Sequence, residues 1–221
     1  MRKYLIILAM AFICCSGCKK SSSPQPSNGA PSSAGSYLPV TSGSSWVYAV
    51  TSRYSSDTVT VKMNTTNATV DGKNYYTANS TSKHNGSAGI YFYEGNHIYT
   101  IHSFNVYADT ILDLQIYNDT ASVFKTWVSL PAPSGKIGNT PVRVESTISQ
   151  KGLTKTFSGK TYTDVVAVTV NIEYDISGAG YYQDTSDYTY YLAKGVGIIA
   201  YTSTFLGEAN EGEQIISSDV K

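Results

Sequence analysis

The sequence predicts an all-β protein in which a single antiparallel domain follows an export signal and a tether. Two observations carry the prediction for the domain. From Trp46 onward, apolar and polar residues alternate with the period of two that a half-buried β-strand requires. Turn residues separate these runs, and no segment shows a sustained helical period with caps. We therefore expect about 10–12 strands in a curved sheet, either a half-barrel or a sandwich.

The first 17 residues have the layout of a bacterial secretory signal peptide. Arg2 and Lys3 give a positive start, Leu5–Ile13 form a short apolar core, and Ser16-Gly17 precede Cys18. The apolar core is shorter than the roughly 20 residues that a membrane-spanning helix needs. We expect cleavage before Cys18 and attachment of acyl chains such as palmitate to that cysteine, which would anchor the protein on a membrane.

All three cysteines lie in or beside this signal. The position three residues before the lipidated cysteine is usually Leu, and here it is Cys15. Lipidation of Cys14 or Cys15 is therefore one alternative, and an ordinary secretory peptide that releases a soluble protein is another. If cleavage precedes Cys18, the mature domain has no disulfide, although an exported protein could form one. Its core must then be stable without cross-links.

Residues 18–36 form the predicted lipidated cysteine and tether. The segment after Cys18 is rich in Ser, Pro, Gly and Asn and offers almost no apolar surface to bury. Such a composition favours disorder, and a coil of this length reaches roughly 25 Å. Residues 37–221 are long enough for one domain with its own core.

The composition excludes a nucleic-acid partner. The chain has 16 basic and 16 acidic residues, and only 14% of all residues are charged, against about 25% in an average protein. Removal of the signal leaves 14 basic residues and a net charge of −2. No basic run or basic-aromatic pattern is present.

The residues after the anchor bear on the location of the protein. Lys19-Lys20 follow Cys18 directly, and we expect the protein to lie on the periplasmic side of the outer membrane, with the cell surface as the alternative.

The strand pattern is clearest in four alternating runs and four turn-like pairs. The runs are Val59–Met63, Leu112–Ile116, Val142–Val144 and Val166–Tyr174. The turn-like pairs are Asp71-Gly72, Gly95-Asn96, Ser158-Gly159 and Lys194-Gly195. The longest predicted strand, residues 161–176, would span about 50 Å if straight. A strand of that length must bend or contain a bulge, which favours a curved sheet.

Three short segments resemble those of a family of uncharacterised bacterial envelope lipoproteins. They are the Gly-x-x-Trp-x-Tyr start at Gly43–Tyr48, the Gly-Lys-x-Tyr-x-Asp-Val segment within Gly159–Val168, and the Tyr-Tyr-x-Ala-Lys-Gly-Val-Gly segment within Tyr190–Ile199. The resemblance implies an all-β envelope lipoprotein, with the last two segments on neighbouring strands. It carries no catalytic residues to transfer.

Tyrosine is the compositional outlier, with 19 residues among 221. Tyr91, Tyr93, Tyr188 and Tyr190 lie in predicted strands and form a candidate binding face for a glycan, a lipid or an envelope protein. Tyrosine supplies large, rigid and half-polar contact area. The alternative interpretation is structural, because tyrosine also packs well on pleated surfaces while its hydroxyl stays in water.

The residue types that carry catalysis do not converge in the sequence. His97 and His102 are five residues apart on one predicted strand and should point to opposite faces, and His84 lies elsewhere. Ser80–Lys83 matches a Ser-x-x-Lys motif but lies in a strand rather than the helix that this chemistry needs. We predict no catalytic residue, no metal and no cofactor.

Acidic residues leave two alternatives open. A loop with Asp175, Asp184 and Asp187 could hold calcium, although solvated acids in a hairpin loop explain it as well. A glycan hydrolase would need two carboxyl groups about 5–10 Å apart. The pairs considered are Asp113 with Glu145, and Glu173 with Asp187.

Three Asp-Thr-apolar triplets place Thr58, Thr110 and Thr120 in a pattern that some bacteria O-glycosylate in the envelope. We treat this modification as a hypothesis, since the motif is short.

The leading functional prediction is a non-enzymatic binding or structural lipoprotein of the cell envelope. A lipid or amphiphile carrier with a half-barrel cavity and a glycan-active hydrolase are the alternatives.

Overall fold

The computed structural model describes residues 35–52, 55–105, 110–205 and 208–221. The predicted signal peptide, Cys18 and the tether up to residue 34 lie outside the described residues. Within the described ranges, regular secondary structure consists of strands alone, which confirms the all-β prediction. No helix in this part of the chain is long and apolar enough to cross a membrane.

Thirteen strands are present in the described residues, slightly more than predicted, and two of them are very short. They are β1 (Ser45–Ser52), β2 (Ser56–Val70), β3 (Lys73–Ser82), β4 (Gly86–Gly95), β5 (Ile98–Asn105), β6 (Thr110–Asn118), β7 (Thr126–Ser129), β8 (Lys136–Ile137), β9 (Thr140–Phe157), β10 (Lys160–Tyr174), β11 (Tyr182–Ala193), β12 (Gly197–Phe205) and β13 (Glu208–Asp219).

All strands join one antiparallel sheet in which the first and last strands pair with each other. Its order is β6-β5-β4-β3-β2-β1-β13-β12-β11-β10-β9-β7, with β8 beside β9. The two ends of the sheet approach one another. The Ser146 hydroxyl on β9 donates to the carbonyl of Gln115 on β6 at 2.9 Å, and the Asp113 amide donates to the Pro131 carbonyl at 2.8 Å. The curved sheet therefore forms a nearly closed barrel.

Apolar side chains occupy the interior of this barrel. The period of two turns alternate residues of each strand inward, and the inward set is aliphatic on most strands. Side chains with no exposed surface include Ile116, Val142, Val144, Ile148, Val165, Val168, Val170, Leu192, Ile199 and Ile215. The packing of these side chains fills the space that a half-barrel carrier would use for its cargo.

The segment Ser36–Val40 packs against one end of the barrel. Ser36 is buried, and its carbonyl accepts a hydrogen bond from the Gly195 amide at 2.7 Å. The Tyr37 hydroxyl donates to Asp164 Oδ1 at 2.9 Å. The packed domain thus includes Ser36, one residue before the predicted boundary, and the chain enters the domain at the turn between β11 and β12.

The hairpin of β2 and β3 bends away from the sheet. Its two strands stay paired up to Val70 and Lys73, whereas the pairing of β3 with β4 begins only at Tyr76. The register of β2 shifts between Met63 and Asn67, as a β-bulge produces. We call the part of the hairpin before this pairing, residues 67–75, the arm.

Candidate binding site

A row of polar side chains crosses the outer face of the sheet. Tyr91 on β4 is paired with His102 on β5, which is paired with Asp113 on β6. Directly paired residues point to the same face of a sheet. The neighbouring residues Phe92 and Leu114 belong to the barrel core, so the row faces the other way.

The arm lies across this row. The Tyr75 hydroxyl on the arm donates to Asp113 Oδ2 at 2.6 Å, although β4 and β5 separate β3 from β6 in the sheet. Three strand spacings amount to roughly 14 Å, more than a tyrosine side chain spans, so the arm must fold over the outer face. Tyr75 is only 2% exposed and yet lies outside the main core. The arm therefore creates a small second layer.

Asp113 is the centre of the contacts beneath the arm. Besides Tyr75, it accepts a hydrogen bond from His102 Nδ1 at 2.8 Å, and Lys73 Nζ lies 3.4 Å from its Oδ2. Burial by itself would raise the pKa of Asp113, but the bonds from His102 and Tyr75 and the charge of Lys73 outweigh it and lower the pKa. The carboxylate is thus held in its ionised form.

Aromatic contacts complete this arrangement. The Tyr75 ring centroid lies 5.1 Å from that of His102, and the Tyr91 centroid lies 5.5 Å from His102 on the other side. Lys73 Nζ lies 4.3 Å from the ring centroid of Tyr93, a cation–π distance. We call these six residues, Lys73, Tyr75, Tyr91, Tyr93, His102 and Asp113, the Asp113 cluster.

Two cavities flank the Asp113 cluster. The first, of about 400 Å³, lies between the tip of the arm and the loop after β7, and we call it the arm cavity. Lys73, His102 and Asp113 give it polar groups, and Ile111 and Leu130 are among its apolar lining residues. It is an open cleft with mixed polar and apolar walls.

The second cavity, of about 420 Å³, lies at the base of the arm, and we call it the Tyr91 groove. Among the described residues, no Asp, Glu, Lys, Arg or His lines it. Asn64, Thr66, Asn67, Thr77, Asn79, Ser87 and Tyr91 supply the polar groups. Asn64 Nδ2 donates to Thr77 Oγ1 at 3.0 Å, so part of the lining is held in place by its own hydrogen bonds. The groove offers amide and hydroxyl groups beside one aromatic ring.

Of the four tyrosines in the predicted binding face, two lie on the outer face of the sheet and two lie in the barrel core. Tyr91 and Tyr93 lie half-buried on the outer face with the Asp113 cluster. Tyr188 and Tyr190 are 7% and 6% exposed and belong to the barrel core. Their strand partners Val170 and Val168 are fully buried, so the period of two turns this pair of tyrosines inward.

The predicted histidine positions differ in one respect from the structure. His97 lies in the turn before β5 with a positive φ of 65°, and its Nδ1 lies 2.7 Å from Asp119 Oδ1. His102 lies within β5 and joins the Asp113 cluster.

Ser80–Ser82 lie in strand β3 and Lys83 follows it, so this Ser-x-x-Lys sequence does not lie on a helix.

The acidic pairs considered from the sequence have other partners. Arg143 lies between two of these acids, with Nε 2.5 Å from Glu173 and Nη2 3.8 Å from Glu145. Asp113 is bound within its own cluster instead of facing Glu145.

Among the described residues, no three acidic, histidine or cysteine side chains are placed to hold a metal ion. The side chain of Asp184 lies outside the described part.

The three threonines of the Asp-Thr-apolar triplets differ in exposure. Thr58 and Thr120 are exposed, and Thr110 is half-buried at the start of β6. The Thr120 hydroxyl donates to Asn118 Oδ1 at 2.7 Å. O-glycosylation remains a prediction at all three positions.

A half-buried acidic pair, Glu211 and Glu213, lies at the wall formed by β12 and β13. Glu213 is paired across the strands with Tyr201, whose hydroxyl donates to Glu211. Burial, with a smaller effect from the Glu211 charge, raises the pKa of Glu213 to about 8. Tyr201 also packs against Tyr190 at 5.7 Å between ring centroids. This pair belongs to the barrel interior and is separate from the Asp113 cluster.

Comparison with known proteins identifies the fold. No protein-family model and no curated protein matches the chain. One similar solved structure is a Bacteroides fragilis protein described as exported and as having a YmcC-like fold, at 7% identity and a TM-score of 0.52. Another is a Parabacteroides distasonis protein described as a lipoprotein, at 13% identity and a TM-score of 0.50. Each match covers 84% of this chain and 99% of the other. At these identities the likeness establishes the fold alone.

Proposed function

We propose that this protein is a lipid-anchored, non-enzymatic binding protein of the bacterial envelope, and that it holds neutral glycans in the Tyr91 groove. The anchor rests on the signal sequence that ends at Cys18. The two structural neighbours, described as an exported protein and as a lipoprotein, support an envelope location. The periplasmic side of the outer membrane is the location that we favour.

The chemistry of the groove is the observation that carries the ligand class. A neutral sugar presents hydroxyl groups around its edge and a less polar C–H face. Amide and hydroxyl side chains can donate to and accept from the hydroxyls, and an aromatic ring can pack against the C–H face. The groove combines Asn67 and Asn79, both exposed, with the half-buried ring of Tyr91. The described residues that line the groove are uncharged, and the nearest paired cation, Lys62, lies beside it opposite Asn79.

The alternatives have less support. A glycan hydrolase needs a carboxylic acid that stays protonated near neutral pH, which requires a raised pKa. Asp113, the acid nearest the groove, has a lowered pKa, because the bonds from His102 and Tyr75 and the charge of Lys73 outweigh burial. Glu213, whose pKa burial raises to about 8, lies at the wall formed by β12 and β13 and does not line the groove. A carrier with its cargo inside the barrel would need space that aliphatic side chains occupy.

The test uses the mature chain with Cys18→Ser, so that no acyl chain is attached. It is presented to an array of neutral and anionic oligosaccharides, and Tyr91→Ala is compared with Tyr181→Ala as a matched control. Tyr181 is an exposed tyrosine beside Arg143, away from the groove. We expect binding to neutral oligosaccharides that falls at least about tenfold in Tyr91→Ala and persists in Tyr181→Ala. Absence of neutral-glycan binding, or equal binding by both variants, would contradict the proposal.

A further inference from the structure

We propose that the end of the barrel where the chain enters the domain rests on the membrane surface, and that Val123 and Phe124 insert into the lipid there. Both residues belong to the connection between β6 and β7, and we call residues 119–125 the Phe124 loop. The inference rests on the anchor in the proposed function and adds a second contact between the protein and the same membrane. The partner of this surface is a phospholipid layer with anionic headgroups.

The first argument is the conformation and exposure of the loop. Phe124 is 79% exposed and Val123 is 36% exposed. Phe124 also has a positive φ of 63°, a backbone conformation that a bulky residue rarely adopts and that costs free energy. Because so little of the ring packs against the protein, the fold gains little in return. A strained and exposed phenylalanine therefore indicates a contact outside the fold.

Hydrogen bonds to the barrel hold the loop in this shape. The Phe124 amide donates to the carbonyl of Ile148 on β9 at 2.8 Å. Lys151 Nζ, further along the same strand, donates to the carbonyl of Ala121 at 2.7 Å. A loop that is already ordered loses less conformational entropy when it binds.

The second argument is the position of the loop relative to the anchor. The ring centroid of Tyr37, in the segment through which the chain enters the domain, lies 5.0 Å from that of Tyr117 near the end of β6. Lys151 Nζ lies 5.9 Å from the Tyr117 centroid and binds the loop at Ala121. The Phe124 loop and the entering chain therefore lie at the same end of the barrel. The sequence predicts a tether of roughly 25 Å between Cys18 and this end, so an acylated Cys18 would hold this end nearest to the lipid.

The third argument is charge. Lys125 follows Phe124 directly and is exposed, and Lys151 is exposed and binds a carbonyl oxygen instead of a carboxylate. The acid of the loop, Asp119, has its Oδ1 2.7 Å from His97 Nδ1. Basic groups close to a membrane are attracted to anionic headgroups, and apolar side chains between them can enter the hydrocarbon boundary. The loop combines both features, which favours a lipid surface as its partner.

The opposite end of the barrel offers a matched control. Ile176 lies in the loop between β10 and β11 and is 70% exposed. This loop follows Tyr174, which is paired with Val142 near the start of β9, whereas the Phe124 loop binds β9 further along, at Ile148. Asp175, an acid, precedes Ile176. We therefore expect Ile176 to face away from the membrane.

The experiment couples the mature chain to vesicles through its single cysteine, Cys18, and a maleimide lipid. The vesicles contain phosphatidylcholine with about one-third phosphatidylglycerol. Lipids with a nitroxide on the acyl chain then quench tryptophan fluorescence in Phe124→Trp and Ile176→Trp, with the original chain as the background. We expect the added fluorescence of Phe124→Trp to be quenched at least about twofold more strongly than that of Ile176→Trp.

The outcomes separate this inference from the proposed function. Equal quenching of the two variants, or no quenching of Phe124→Trp above the background, would overturn the docked orientation. Neither result would bear on glycan binding, which is measured without vesicles. An anchor on another residue would appear in the host as an unacylated Cys18, and it would leave the quenching in the coupled vesicles unchanged.

Thermal unfolding of Phe124→Gly gives a second test. Glycine adopts a positive φ without strain, so the melting temperature should stay at or above that of the original chain. A lower melting temperature would show that the ring stabilises the fold, and it would overturn the assignment of Phe124 to the membrane.

Discussion

Asp113 illustrates how much of the site depends on single residues that the sequence does not mark. Its position in an alternating strand predicts an outward-facing acid, and that prediction is correct. Its partners Lys73 and Tyr75 lie about forty residues earlier and reach it only because the arm bends. The hydrogen bond from His102 follows from cross-strand pairing, which requires the register to be known. Residue chemistry was therefore predictable, but its convergence was not.

The tyrosines show a second limit at this scale. Tyr188-Thr189-Tyr190-Tyr191 places a large aromatic residue at both parities of one strand. The period of two then fits either orientation, because tyrosine is found in cores and on surfaces alike. The fully buried valines on the neighbouring strand β10 decide the orientation, and their pairing partners cannot be deduced from the run itself.

Glu213 gives a pH-dependent prediction at the residue scale. Burial raises its pKa to about 8, so the folded protein keeps this proton after the unfolded chain, with an ordinary glutamate pKa near 4.3, has lost it. Over this window, Glu213 lowers the free energy of unfolding as the pH rises, by up to about 1.4 kcal/mol per pH unit. Glu213→Gln should remove this slope between about pH 5 and 8.

Urea unfolding of the two proteins across that pH range measures the effect. Glu145→Gln, at a half-buried acid on β9 that contacts Arg143, serves as the control and should keep the slope of the original chain. Parallel pH profiles for the original protein and Glu213→Gln would mean that Glu213 does not retain its proton in the folded state.

At the element scale, the strands were more predictable than their bends. The alternating runs correspond to strands β2, β6, β9 and β10. Three of the four turn pairs lie between consecutive strands, and the fourth, Gly95-Asn96, begins at the last residue of β4. The arm was not predicted, because a bulge depends on one extra residue in one of two paired strands. The sequence Asn64-Thr65-Thr66-Asn67, which interrupts the apolar alternation of β2, is the only signal that could have located it.

The turn between β11 and β12 supports a prediction about the segment Ser36–Val40, where the chain enters the domain and which we call the entry segment. Gly195 and Gly197 both have positive φ, at 74° and 100°. A Cβ on Gly197 would lie 3.2 Å from Cδ of Pro39 in the entry segment. Gly197→Ala should therefore lower the free energy of unfolding by about 1–3 kcal/mol.

Thermal unfolding of Gly197→Ala and Gly212→Ala tests this expectation. Gly212 lies in strand β13 without a positive φ, and its Cβ would meet its nearest neighbour at an ordinary 3.5 Å. The Gly212 variant should be the less affected of the two. An unchanged melting temperature for Gly197→Ala would show that the entry segment does not pack tightly against β12.

At the scale of the whole molecule, the sequence predicts the class of architecture but not its closure. Two-faced strands indicate an antiparallel sheet, and strands as long as β9 and β10 indicate curvature. The pairing of β1 with β13, which joins the two halves of the sheet, is a contact between the ends of the domain. Such long-range pairing leaves no local pattern, so the choice between sandwich and nearly closed barrel required the structure.

The anchor is the remaining whole-molecule prediction. In a bacterial host that processes lipoproteins, Cys18→Ala should abolish acylation and move the protein out of the membrane fraction, because the acyl chains attach to that cysteine. Intact-mass analysis and fractionation measure both effects, and Cys15→Ala should stay lipidated. Retention of the acyl mass in Cys18→Ala, or its loss in Cys15→Ala, would assign the anchor to another residue.

The central claim is that a neutral glycan binds on the outer face at the base of the arm. Chemical-shift mapping by NMR on the mature chain with Cys18→Ser, using a neutral oligosaccharide selected from the array, tests it most directly. We predict that the perturbed amides cluster at Asn67, Thr77, Asn79 and Tyr91, with weaker changes at His102. Perturbations centred on strands β9 to β12, or a bound oligosaccharide that leaves these amides unchanged, would contradict the account.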